Sequence, residues 1–118
     1  MKKETKQQLT NKINEYIKNS GYTFRFSKTG DLNNNTNGIC NPIKKEIIVK
    51  STAHAKTVAH EIAHIIQFNT IGKSDCWSNP SDNVLAAEHE EYENNVYYTL
   101  RQIGLAQEWN KAAGWYPY

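Results

Sequence analysis

Apolar positions along this chain recur with two different periods, and the switches between them mark the elements. Leu9, Ile13, Tyr16 and Ile17 lie three and four residues apart. That spacing predicts an amphipathic helix over residues 4–19, stopped by Asn19-Ser20-Gly21. Residues 22–27 then alternate aromatic and polar side chains, the pattern of a half-buried strand. Residues 28–37 are rich in Asn and Gly and read as a loop. Ile39 and Cys40 begin a second strand, and residues 46–50, with Ile47, Ile48 and Val49, form a third. A helical period returns with Val58, Ile62, Ile65 and Ile66, giving a helix from about Ala53 to about Asn69. Residues 70–80 form a loop with Gly72 and Pro80 as breakers. A long helix follows from about Ser81 to about Ile103, with Ser81 or Asp82 as its cap and Gly104 at its end. Tyr92, Val96, Leu100 and Ile103 make its apolar stripe. The aromatic tail, residues 108–118, is expected to pack against the rest, since Trp and Tyr bury large areas. The pattern predicts one α+β domain spanning 1–118, with a small antiparallel or mixed sheet packed against two helices.

Charge changes this picture little. The 118 residues carry a formal net charge of +2. Residues 1–58 contribute +7 and residues 59–118 contribute −5. A basic half can attract nucleic acid, but Lys2, Lys3, Lys6, Lys12 and Lys18 read as the solvated face of the first helix. No basic patch is interleaved with aromatics, so nucleic acid is not an expected partner. No apolar run approaches the roughly 18–20 residues of a membrane span. No apolar segment follows the charged start, so the expected location is cytoplasmic. Cys40 and Cys76 are then expected as free thiols, with Cys40 a small buried hydrophobe.

The chemistry is concentrated in His60-Glu61-Ile62-Ala63-His64, an H-E-x-x-H motif. Residues four apart share a helix face, so two imidazoles can converge on one tetrahedral cation. Glu61 sits one residue along and can take a proton from a water beside that cation. The flanking apolar residues place the motif on a packed helix, where unpartnered polar groups are costly. A catalytic zinc takes three protein ligands, so a third is expected from the long helix. There Val84, Glu88, Glu91, Asn95 and Tyr98 form a stripe beside the apolar one. Glu88 and Glu91 both qualify, while Glu90 and Glu93 fall toward solvent.

The run Glu91-Tyr92-Glu93-Asn94-Asn95-Val96-Tyr97 resembles the glutamate helix of gluzincin-type zincin metallopeptidases, in particular the ImmA/IrrE-like branch. That helix runs Glu-x-x-Ala-Asn-x-Phe-Ala; here Asn94 replaces Ala, and Tyr97-Tyr98 replaces Phe-Ala. Residues 37–50 resemble the strand pair that precedes the active-site helix in ImmA/IrrE-like and ArdC-type proteins. The resemblance implies a zincin-like fold and a Zn2+ site held by His60, His64 and Glu91, with Glu88 in reserve. It gives Asn95 the part of orienting a ligand and Glu61 that of general base in the hydrolysis of a peptide or protein substrate. It also implies that residues 45–50 form the cleft-edge strand along which a substrate lies. His89, Tyr92, Tyr97 and His54 are candidates to stabilise the oxyanion, with His89 read as a surface residue and His54 as a polar helix start. Proteins of this kind often belong to phages and mobile elements. The alternative they suggest is a zinc-containing binding or regulatory protein of antirestriction or repressor-control type.

Overall fold

The computed structural model describes residues 1–72 and 83–118, apart from the side chains of Ile71 and Asn83. Cys76, Pro80, Ser81 and Asp82 lie outside the described residues. Three four-residue strands, β1 (Thr23–Phe26), β2 (Gly38–Asn41) and β3 (Glu46–Val49), form a mixed sheet in the order β1-β3-β2. β3 runs parallel to β1 and antiparallel to β2. Phe24 and Cys40 both stand opposite Ile47. The two-residue period of a strand therefore puts Phe24, Phe26, Cys40, Ile47 and Val49 on one face, which enters the core. The other face carries Arg25, bonded to Glu46 at 3.1 Å and Asp31 at 2.8 Å.

Residues 45–50, expected as a cleft-edge strand, are instead central. β3 is hydrogen-bonded on both sides, so it has no free edge for a substrate. The edge nearest the H-E-x-x-H helix is β2. Lys50 N–H donates to Asn37 O at 2.9 Å. Bonded and non-bonded pairs alternate along an antiparallel ladder, so the main chain of Gly38 faces away from β3. The far edge is closed by a side chain: the Asn14 amide accepts from Phe24 N–H at 2.7 Å and donates to Phe24 O at 3.1 Å.

Four helices accompany the sheet among the described residues: α1 (Lys3–Tyr16), α2 (Ala55–Ile71), α3 (Asn83–Gln102) and α4 (Leu105–Ala113). α1 packs on β1, and α2 covers β2 and β3. α3 lies along α2 and touches α4 rather than the sheet. None of the described helices is long and apolar enough to cross a membrane.

α4 was expected only as an aromatic tail. Gly104, at φ 79°, ends α3 and reverses the chain into α4, a backbone shape that suits glycine. Leu105, Ala106 and Trp109 are buried from α4. The Trp109 ring stacks on Phe26 with centroids 5.0 Å apart and meets Phe24 edge-on at 5.9 Å. Its Nε1–H donates to Ala53 O at 2.8 Å. Asn110, fully buried, accepts from Ala55 N–H at 2.8 Å. His54 Nδ1 accepts from Lys56 N–H at 3.1 Å, so His54 caps α2 as a polar helix start. The first N–H groups of a helix have no partner within it, so these contacts fix where α2 begins and how it is aimed.

Removing the Asn110 amide leaves the Ala55 N–H buried without an acceptor. Asn110→Ala should destabilise the fold by about 1–3 kcal/mol, read as a lower midpoint in urea unfolding. An unchanged midpoint would show that this bond does not hold α2.

Candidate metal centre

His60 and His64 lie one turn apart on α2, and Gln67 continues their stripe three residues on. α3 presents Leu85, His89, Glu93 and Val96 at four-, four- and three-residue steps, and this stripe meets the first. His60, His64 and His89 each offer one ring nitrogen, and these nitrogens all lie within 4.8 Å of one another. His64 Nε2 is 3.1 Å from His60 Nε2, and His89 Nε2 is 2.9 Å from His60 Nδ1. The His64 and His89 rings stack with centroids 4.2 Å apart, and His60 stands edge-on to both. The two short contacts use different nitrogens of the His60 ring, and one cation binds only one of them, so the donor set is one nitrogen per ring within 4.8 Å, against about 3.3–3.4 Å between ligand nitrogens of a tetrahedral zinc.

Protonation fits the same role. Burial first, and the neighbouring histidines second, pull His64 down to about 3 and His89 down to about 4. Both rings are therefore neutral near pH 7 and keep a lone pair for a cation. Glu93 Oε1 accepts from His60 Nδ1 at 2.8 Å, beside the 2.9 Å approach of His89 Nε2 to the same nitrogen.

Glu61 points from α2 toward β2 and is only 5% exposed. It can lie there because residue 38 is glycine. A β-carbon at Gly38 would stand 3.1 Å from Glu61 Oε2 and 3.0 Å from Thr57 Cγ2. Burial, and then the Glu93 carboxylate, push Glu61 up to about 8. Cys40 is buried nearby, and burial together with Glu61 raises its thiol to about 12, so it stays protonated. An open cleft of about 430 Å³ adjoins this corner, bounded by His60, Glu61 and Glu93 with Asn37, Gly38 and Thr57.

Of the expected residues, the structure brings His60 and His64 together, and Glu61 lines the cleft beside His60. Glu91, expected as the third ligand, is exposed and lies outside the histidine cluster, and Glu88 is half-buried and also outside it. His89, expected at the surface, is 6% exposed and sits inside it. The cause is the rotational phase of α3. Ile103 and Tyr98 are 59% and 65% exposed, so neither marks the buried face. Val96 and Leu100 do, and stepping back seven residues from each gives His89 and Glu93. Asn95 is exposed and does not reach the histidines, whereas Glu93 bonds to His60. Tyr97 lies beyond the cluster, 6.1 Å from the His54 ring.

No family model, no curated protein and no solved structure matches this chain.

The raised Glu61 pKa has a signed consequence for stability. In the unfolded chain Glu61 titrates near 4.5, so between about 4.5 and 8 the folded state holds the proton that the unfolded state has released. Its contribution is fully present below about pH 4.5 and is lost as pH rises through about 8. In chelator-treated protein, wild type should therefore lose stability relative to Glu61→Gln over that window, measured by denaturant midpoints. A pH-independent gap between the two would contradict the assignment.

Proposed function

We propose that this chain is a metal-dependent hydrolase of peptide bonds, with His60, His64 and His89 as the cation ligands and Glu61 as general base. The observation that carries this reading is the joining of two features: a three-imidazole cluster and a buried carboxylate one residue from it, aimed at an open cleft. Three imidazoles would form a donor set suited to zinc. A zinc ion held by His60, His64 and His89 would supply a Lewis acid for the scissile carbonyl and for a neighbouring water. Glu61 then takes the proton of the attacking water and passes it to the leaving amine. Burial keeps a proton on Glu61 to about pH 8, and a cation bound nearby would draw it off, leaving the carboxylate that acts as base. Glu93 accepts a hydrogen bond from His60 Nδ1. An extended peptide is proposed to enter along β2 at Gly38, the strand edge beside Glu61.

The resemblance to gluzincin-type peptidases supports the reaction type but supplies a glutamate as third ligand, where this proposal has a histidine. Retention of Glu61 beside the cluster favours a hydrolase over the regulatory binding protein, since binding alone has no use for a buried base.

The test is cleavage of reduced, alkylated, unfolded protein by the zinc-loaded chain. Glu61→Gln should retain one zinc and lose roughly 100-fold or more in cleavage rate. Glu91→Ala should match wild type in both zinc content and rate. Equal cleavage by Glu61→Gln and wild type would remove Glu61 from the mechanism. Zinc-loaded wild type without cleavage would favour the binding protein.

A further inference from the structure

Gln67 is fully buried on α2, in the stripe that carries His60 and His64. A buried side-chain amide must have partners for both of its ends. Its Nε2 lies 3.1 Å from the main-chain oxygen of Leu85 on α3. A carbonyl oxygen only accepts, so the NH2 end of the amide must face it. That leaves Oε1 facing His89, 3.0 Å from Nδ1. Oε1 also only accepts, so His89 Nδ1 must carry the proton. The second ring nitrogen of a neutral imidazole then has a lone pair, and His89 Nε2 is the atom turned toward His60.

We propose that Gln67 is a positioning residue that sets the tautomer of His89 and so makes its Nε2 the ligand atom. This inference rests on the reading of His60, His64 and His89 as a cation site, and it adds the residue that prepares one ligand before any ion arrives. The orientation passes along a chain of one-way hydrogen bonds: Leu85 O fixes the amide, the amide fixes Nδ1–H, and Nδ1–H frees Nε2. The same chain ties α2 to α3 at the point where the ligands must meet. Glu93 on α3 accepts from His60 Nδ1, so each of these two histidines bonds to a side chain of the opposite helix.

The experiment is long-range proton–nitrogen NMR of the histidine rings in chelator-treated protein, followed by zinc titration. In wild type, His89 should be protonated at Nδ1 and bare at Nε2. Gln67→Met removes the acceptor at similar volume, so Nδ1–H should give way to Nε2–H and zinc binding should weaken about 10- to 100-fold. Gln67→Glu keeps an acceptor for His89, so Nδ1 should stay protonated and zinc should bind more tightly than in Gln67→Met. A purely structural role would make both variants alike in tautomer. His89 found as Nε2–H in wild type, or unchanged Nδ1–H in Gln67→Met, would overturn the proposal. If wild type shows Nδ1–H yet takes up no zinc, the cation reading fails while the orienting bond from Gln67 stands.

Discussion

The seam between α2 and α3 is the constraint on which the rest depends. It buries His64, Gln67 and His89, three polar side chains, between two helices that could have met through aliphatic residues. Each unpartnered polar group at such a place costs about 1–3 kcal/mol, so the seam is tolerable only with its bonds made. Gln67 answers His89 and Leu85, and Glu93 answers His60. These bonds specify register: sliding α3 by one residue would break all of them. The arrangement that satisfies the seam is also the one that gathers three imidazoles.

The rest of the fold aims this seam. α4 anchors the start of α2 through Trp109 and Asn110, at the opposite end of that helix from Gly72, its left-handed C-terminal cap. The sheet meets α2 along the face that carries Glu61, and Gly38 lets β2 approach until the carboxylate is enclosed. Burial then does two kinds of chemistry with one cause. It holds His64 and His89 neutral, with lone pairs to donate, and it keeps the proton on Glu61 up to about pH 8. A core this small achieves that by placing the site at the junction of helix seam and sheet edge, not in a deep cavity.

Periodicity made much of this legible. Apolar spacing located α1, α2, α3 and all three strands, because each has one face in the core and one outside it. The pair His60 and His64 followed from helix geometry alone. Strand order did not, since nothing in residues 45–50 tells whether one neighbour or two will bond to them; only the return of β1 on the far side makes β3 central. Glu88 and Glu91 were expected near the cation because the stripe of α3 was phased in part on Ile103, which lies just beyond the helix and is exposed. The buried pair Val96 and Leu100 fixes the phase correctly and selects His89 and Glu93. α4 escaped because nine residues with Trp109, Asn110 and flanking glycines hold too few repeats to show a period. Its value lies in bonds to residues 53 and 55, more than fifty positions away.

The central claim is that three histidines, and no carboxylate of α3, hold the cation. A crystal structure of the zinc-loaded protein, with anomalous data collected at the zinc edge, tests it most directly. The expected result is one peak, about 2.0–2.1 Å from a ring nitrogen of each of His60, His64 and His89. A peak ligated by Glu91 or Glu88, or no peak at this seam, would contradict it.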